Sequence, residues 1–202
     1  MQFFVLGSSG GTTFQAVLDC LADGSLTARC LGLLSDREDR GCVTRAKKAG
    51  LPVVIIERKQ GETREEYDRR VHAAIVSLHP LQSTTYHLQP IIACIGWMFL
   101  LSPWFVARWR NRIINVHPSL LPKYPGHHPH EEVLAAGEKE SGMTIHWVDA
   151  GIDTGPIIIQ KKCSVSPDDT VETLKARVQE LEKEWYPKVL QMVESGALTT
   201  SS

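Results

Sequence analysis

The sequence lacks long apolar runs, paired cysteines and an excess of charge of either sign. No stretch of about 18 apolar residues occurs, so no membrane-spanning helix is expected. The first residues have neither the basic start nor the apolar length of a signal peptide, so none is expected. With 22 Lys and Arg against 23 Asp and Glu, charge gives no reason to expect nucleic acid or a membrane as partner.

The five cysteines stand singly, and no CxxC pair occurs. An odd count without such spacing argues against a disulfide framework and against a zinc site. A reducing cytoplasm is therefore the expected location. His127, His128 and His130 are close together, but no second cluster has ligand spacing, so no metal is expected. His128 and His130 are expected to line a cleft or to make loop hydrogen bonds.

Apolar runs alternate with amphipathic segments along the chain. The runs FFVL, ARCLGLLS, PVVII and RIINV predict strands, and a short helix is predicted in GCVTRAKKAGL. The run IIACIGWMFLL does not decide between helix and strand, although its start suits a strand buried on both faces. Three longer helices are predicted from apolar positions at helical spacing: Phe14, Val17, Leu18 and Leu21; Tyr67, Val71, Ala74, Ile75 and Leu78; and Leu174, Val178, Leu181 and Trp185.

The alternation of nearly all-apolar strands with helices predicts an α/β fold with a Rossmann-like, doubly wound and mostly parallel sheet. The length suits a single domain spanning residues 1–202. The later part changes character, because MTIHWVD alternates like a strand with one wetter face. PIIIQKKCSV is expected to pair beside it.

A loop rich in small residues, GSSGGTTF, joins the first strand to its helix. Small residues let the backbone approach a ligand, and a helix N-terminus offers free amide donors to an anion. Thr12 and Thr13 add hydroxyls, so the loop is a candidate phosphate cradle. It matches neither GxGxxG nor the Walker pattern, and a plain tight turn explains it about as well.

An amide and an imidazole end another apolar run. Asn115 and His117 are two residues apart, so their side chains point the same way along an extended segment. Ligands of open α/β sheets bind at the carboxyl ends of strands, where this pair would lie. Asp153, in DAGIDTGPIII, could pair with His117, orient it and raise its pKa, although a turn-forming role is the more common one for such an Asp.

Two segments together, NVHPSLLPKYPG and GMTIHWVDAGIDTGPIIIQ, resemble the phosphoribosylglycinamide formyltransferases, and the likeness extends over nearly the whole chain. The resemblance implies a phosphate-binding half (1–100) and a catalytic and folate-binding half (101–202), which includes a formyltransferase-type C-terminal extension. It also implies transfer of a formyl group from 10-formyltetrahydrofolate, a co-substrate, to the amine of glycinamide ribonucleotide in purine synthesis. No metal is implied, the partners are small molecules, and the chain would act as a monomer or homodimer.

The resemblance also implies roles for individual residues. Thr144 is a further candidate, as a residue that holds a water near the catalytic group. The catalytic residues would be Asn115, His117 and Asp153. The ribonucleotide would be bound by Gly11, Thr12, Thr13, Gln179 and Glu182. The folate would be bound by Arg64, Met98, Phe99, Leu100, Leu101, Asn115, Asp149, Ala150, Gly151 and Ile152.

The chain departs from the family pattern at three places. Where the family's loop reads SGxGSN, this chain has Ser9 in place of a Gly and Thr13 in place of an Asn. Phe99 stands where an Arg is usual. The polar stretch 79–89 is longer than in most relatives. These departures leave two alternatives open: formyl transfer to another amine or to water, and a non-catalytic folate- or nucleotide-binding module.

Overall fold

The computed structural model of the protein describes residues 1–79 and 90–198. Strands and helices alternate through most of this length. The strands are β1 (Gln2–Leu6), β2 (Arg29–Ser35), β3 (Val53–Ile55), β4 (Ile91–Cys94), β5 (Ile113–His117), β6 (Glu140–Trp147) and β7 (Ile157–Ser164). The helices are α1 (Thr12–Asp23), α2 (Gly41–Lys48), α3 (Arg64–Leu78), α4 (Pro103–Arg108), α5 (Pro129–Ala135) and α6 (Val171–Glu194).

The described strands form one sheet in the order β3-β2-β1-β4-β5-β6-β7. The first five in sequence pair in parallel, whereas β6 is antiparallel to β5 and β7 is antiparallel to β6. The predicted doubly wound, mostly parallel α/β fold is therefore confirmed. β6 and β7 extend the sheet at one edge, beyond the parallel part.

Helices cover both faces of the parallel part of the sheet, and this explains why its strands are nearly all apolar. Along β1, Phe3 and Val5 pack into the core beneath α1, α2 and α6, while Phe4 and Leu6 pack into the core beneath α3 and α4. All four side chains are fully buried. Successive residues of a strand point to opposite faces, so a sheet covered on both faces needs apolar residues at every position.

Two details of the predicted elements are wrong. β6 has no wetter face, because Ser141 to Trp147 are all buried between β5 and β7. Leu78 lies at the exposed end of α3 and is not part of its buried face. The start of IIACIGWMFLL suits a buried strand, and this is confirmed: the first four residues form β4, and the rest form a loop. The stretch 80–89, which holds nearly all of the long polar insertion, lies outside the described residues.

A cleft opens where the sheet reverses its winding, between β1 and β4. Beyond these strands the Ser8 amide donates a hydrogen bond to the Gly96 carbonyl over 3.0 Å, and the chains then separate toward α1 and α4. Such a switch point is the usual ligand site of doubly wound folds. Among residues 1–79 and 90–198, no helix has the length and apolar character needed to cross a membrane.

Candidate active site

One elongated pocket of about 480 Å³ lies along the carboxyl ends of β1, β4 and β5. It brings together every residue predicted for the site from the sequence. The lining includes Gly11, Thr12, Thr13, Gln179, Glu182, Arg64, Met98, Phe99, Leu100, Leu101, Asn115, His117, Asp149, Ala150, Gly151, Ile152 and Asp153. The two halves of the predicted site, one for a phosphate and one for a folate, are therefore continuous.

The turn after β1 leaves backbone donors open at one end of the pocket. Gly11 has a left-handed backbone (φ 74°) and begins α1 without any side-chain cap. A Cβ at Gly11 would lie 2.7 Å from the Cα of Cys42, so the turn passes directly over the start of α2. Arg45 holds it from below, donating from Nε to the Gly10 carbonyl over 3.0 Å. Uncapped first-turn amides are a good anion site.

Thr13 joins this turn to the closing helix. Its hydroxyl donates to Oε2 of Glu182 over 2.8 Å, and both side chains are buried. The predicted donation from the Thr13 hydroxyl to a phosphate therefore conflicts with a bond that the hydroxyl already makes. Burial raises the pKa of Glu182 to about 7, against the opposing effects of Thr13 and Lys175.

Asn115 and His117 end β5 and both line the pocket, as their two-residue spacing predicts. The Nδ2 of Asn115 lies 3.3 Å from Nε2 of His146. The Nε2 of His117 donates to the Tyr124 carbonyl over 2.7 Å, and its Nδ1 lies 3.3 Å from Oδ2 of Asp153. Both ring nitrogens of His117 therefore face acceptors.

The carboxylate of Asp153 is held from three directions. Besides His117, the Gly126 amide donates to Oδ2 over 2.9 Å, and Nε2 of His146 lies 3.6 Å from Oδ1. Burial raises the pKa of Asp153, but these hydrogen bonds and the nearby imidazoles outweigh it, so the pKa is lowered. Asp153 also has a left-handed backbone (φ 54°), a conformation that Asp tolerates better than most residues.

The pKa of His117 is shifted in the direction opposite to the one predicted. Burial lowers it and outweighs both the Asp153 carboxylate and the Tyr124 carbonyl, which act to raise it. The sequence could indicate the neighbouring carboxylate but not the degree of burial, because His117 is only 4% exposed in the folded chain.

His146 is a site residue that the sequence analysis missed. It lies on β6 directly opposite Asn115, and its Nδ1 donates to the Trp147 carbonyl over 2.9 Å. In this tautomer Nε2 accepts from Asn115, and it can donate to Asp153 only when the ring is protonated. The interpretation of Thr144 as a holder of water is not supported, because its buried hydroxyl donates to the Ser119 carbonyl over 2.7 Å and accepts from Leu121 and Gln160.

Aromatic rings form the wall at the far end of the pocket. The ring of Tyr67 stacks on that of Trp97 with centroids 6.2 Å apart, and Phe99 lies 5.1 Å from Trp97 and 5.4 Å from Tyr67. Phe99, which replaces the usual Arg, thus packs into an aromatic cluster. Arg64, at the start of α3, supplies a cation at this end.

The loop 149–153 closes the same end from the opposite side. Its path is set by Asp149, which accepts from the Gly151 amide over 3.0 Å and from the Thr154 hydroxyl over 2.8 Å. Ile152 and Met98 are each about half exposed at the pocket mouth (50% and 53%). Two exposed apolar side chains facing one cleft suit a flat, partly apolar ligand.

Two further residues line the pocket: His130, for which the sequence analysis expected a cleft position, and Lys175, to which it gave no role. His130 is 7% exposed, and its Nδ1 has no hydrogen-bond partner among the described residues. Lys175 lies on α6 one turn before Gln179. Within residues 1–79 and 90–198, no group of three or more His, Cys, Asp or Glu side chains has a metal-binding arrangement, and the prediction that no metal is needed stays a prediction.

The fold and this Asn–His–Asp site define a formyl transferase. The sequence profile described as Formyl transferase matches residues 1–190, and the chain belongs to that family. Members of the family use a folate-derived formyl donor. Within it, the chain belongs with the phosphoribosylglycinamide formyltransferases, as its resemblance predicts.

The relatives include a bacterial enzyme of that name, matched over most of its length, and a much longer trifunctional protein. The chain is 33% identical to the phosphoribosylglycinamide formyltransferase of Escherichia coli (strain K12), over 98% of this chain and 89% of that protein. It is 38% identical to the trifunctional purine biosynthetic protein adenosine-3 of Drosophila melanogaster, of which it spans 14%.

Solved structures agree with this placement. The glycinamide ribonucleotide transformylase 1 of Symbiobacterium toebii superposes with a TM-score of 0.90 at 32% identity, over 98% of this chain and 90% of that one. The Bacillus halodurans phosphoribosylglycinamide formyltransferase superposes with a TM-score of 0.88 at 32% identity, over 98% and 97% of the two chains. The agreement includes the antiparallel extension of the sheet, since nearly all of this chain is covered.

Proposed function

We propose that the protein transfers the formyl group of 10-formyltetrahydrofolate to the primary amine of glycinamide ribonucleotide. The observation that carries this proposal is the convergence of Asn115, His117 and Asp153 midway along a pocket with a phosphate-type turn at one end and an apolar slot at the other. The reaction needs both ends at once, because the nucleotide and the folate must meet at one carbonyl.

Attack by the amine places negative charge on the formyl oxygen. Asn115 supplies a neutral donor to this oxygen, and His117 in its protonated form supplies a charged one. The Nε2 of His117 would exchange the Tyr124 carbonyl for the formyl oxygen, while Nδ1 stays with Asp153. Donors already aimed at a developing oxyanion typically contribute a few kcal/mol, roughly 2.7–4 for one donor.

A proton must leave the amine and a proton must reach N10 of the folate when the carbon–N10 bond breaks. Asp153 would relay the proton from the amine to N10 through His117 or through water. Its oxygens lie 3.3 Å and 3.6 Å from the rings of His117 and His146. The products are the N-formylated ribonucleotide and tetrahydrofolate, so the proton count balances without a metal.

Binding is divided between the ends of the pocket. The uncapped amides of Thr12 and Thr13 and that of Gly11, which donates to Ser9 Oγ over 3.4 Å, would hold the substrate phosphate. Gln179 and Glu182 would contact the ribose and the amine. The pterin would lie against the backbone of residues 98–101 and the loop 149–153, with Arg64 near the glutamate carboxylates. The free cysteines of the described chain suit a reducing compartment, and we place the reaction in the cytoplasm.

The direct test is to mix the protein with glycinamide ribonucleotide and 10-formyltetrahydrofolate and to follow tetrahydrofolate formation. Product formation that depends on the ribonucleotide supports the proposal. Product formation at the same rate without the ribonucleotide indicates water as acceptor, and folate binding without any turnover indicates a non-catalytic module. Either of these results overturns the proposal.

A companion experiment tests the catalytic assignment. The change His117→Ala is expected to lower kcat by on the order of a hundredfold or more, with little change in KM, because the lost donor acts mainly in the transition state. Steady-state kinetics with both substrates measures this. A variant with nearly normal kcat would show that the assignment of His117 is wrong.

A further inference from the structure

The phosphate end of the pocket lacks a charged donor on the turn itself. The turn offers backbone amides and the hydroxyls of Ser9, Thr12 and Thr13, and that of Thr13 is already bonded to Glu182. The buried carboxyl group of Glu182 becomes a negative charge near neutral pH, beside the place where a phosphate dianion would bind. An anion at this end therefore needs a cation that the turn does not provide.

Lys175 is the one lysine among the described residues that line the pocket. It precedes Gln179 by four residues and Glu182 by seven, so the three side chains share one face of α6. Its charge acts on both Glu182 and His130, which places the ammonium near the turn and not at the folate end. Arg64, the one arginine in the same lining, belongs to the opposite end, beside the aromatic cluster.

We infer that Lys175 binds the phosphate group of the nucleotide substrate and determines the preference for a phosphorylated substrate. This inference rests on the proposed function. The Lys175 side chain is exposed and lines the same pocket as the uncapped first turn of α1. The buried Nδ1 of His130, unpartnered among the described residues, lies in the same lining and can supply a second contact to the phosphate or the ribose.

The binding test uses ribose 5-phosphate as probe and calorimetry as readout. Lys175→Met is expected to raise the Kd about tenfold, and Lys175→Arg is expected to restore most of the affinity, because a charge-assisted hydrogen bond is lost and then regained. The matched control is Lys188→Met on the same helix, since Lys188 pairs with Glu184 and lies outside the pocket lining. Equal affinities for the wild type and Lys175→Met would overturn the inference.

The kinetic test compares glycinamide ribonucleotide with the same compound lacking the phosphate. With the phosphate present, Lys175→Met is expected to raise KM about tenfold at nearly constant kcat, with KM for the folate unchanged. Without the phosphate, wild type and variant are expected to behave alike. An equal KM increase with both compounds would overturn the role. Ribose 5-phosphate binding does not need turnover, so failure of the proposed function is distinguishable from failure of this inference.

Discussion

At the scale of single residues, the site depends on how His117, Asp153 and His146 share protons. His117 lies between a carboxylate that raises its pKa and burial that lowers it, and burial dominates. A donor with a lowered pKa is protonated for a smaller fraction of the time at neutral pH. Asp153 therefore has two functions in the proposed mechanism: it orients the ring and partly restores its charge.

Asp153→Asn is expected to lower the pKa of His117 further, because it removes the largest of the effects that raise this pKa. Asparagine also tolerates the left-handed backbone at this position, so the loop is expected to keep its path. An NMR titration of the His117 ring protons measures the shift. Asp149→Asn is the control, since Asp149 bonds only within its own loop in the described contacts. An unchanged pKa in Asp153→Asn would contradict the assigned pairing.

At the scale of elements, the site is assembled from the carboxyl ends of β1, β4 and β5, the starts of α1 and α3, and one face of α6. α1 begins at Gly11 directly over α2, and β5 is supported from below by α6. The positions of the donors are therefore set by packing between elements that are distant in sequence. Changes beneath the pocket are expected to disturb binding without touching a ligand.

Gly11→Ala is expected to destabilise the fold more than Gly24→Ala, although both glycines have left-handed backbones at the two ends of α1. A Cβ at Gly24 meets no atom within 4 Å, so only the backbone conformation costs free energy, roughly 1–2 kcal/mol. A Cβ at Gly11 would also press on the Cα of Cys42. Urea denaturation measures both changes, and equal losses would contradict the close packing of the turn on α2.

Tyr186→Phe tests the support that α6 gives to the sheet. The fully buried Tyr186 hydroxyl lies 3.1 Å from the Ile114 carbonyl and 3.3 Å from the Cys94 carbonyl. Its loss is expected to cost about 1–2 kcal/mol in the free energy of unfolding. The half-buried hydroxyl of Tyr124 donates to Glu138, and Tyr124→Phe is expected to cost less free energy of unfolding. Thermal and urea unfolding compare the two, and equal small losses would show that Tyr186 does not anchor β5.

At the scale of the whole molecule, Glu182 links the site to stability. Its pKa is about 7 in the folded protein against an ordinary value of 4.5, so the folded state binds the extra proton. The stability contributed by this protonation is fully present below pH 4.5 and is lost as pH rises through about 7. A functional carboxylate in a buried position thus lowers stability at the pH where it would be charged.

Glu182→Gln is expected to gain stability relative to wild type as pH rises from 4.5 to 8. The total change is on the order of 3 kcal/mol, because one pKa unit corresponds to about 1.4 kcal/mol. Unfolding free energies from urea denaturation at several pH values measure it. The matched control is Glu180→Gln, which changes an exposed carboxylate on the same helix. A constant difference for Glu182→Gln would contradict the assigned burial effect.

The sequence by itself determined the fold class and placed Asn115 and His117 together at the pocket. Apolar strands require a sheet covered on both faces, and the two-residue spacing of Asn115 and His117 puts both at one strand end. These features follow from local patterns, and the spacing of residues along the sequence is enough to predict them. The likeness to the formyltransferases supplied the more distant partners, such as Gln179 and Glu182.

Only the tertiary structure decided which groups touch and how strongly each is buried. The place of His146 depends on the β5–β6 register, which pairs it with Asn115, and a shift of one residue would have turned it to the other face. The bond of Thr13 to Glu182 joins residues 169 positions apart. The lowered pKa of His117 and the raised pKa of Glu182 come from burial, and burial is produced by every element that packs around a group.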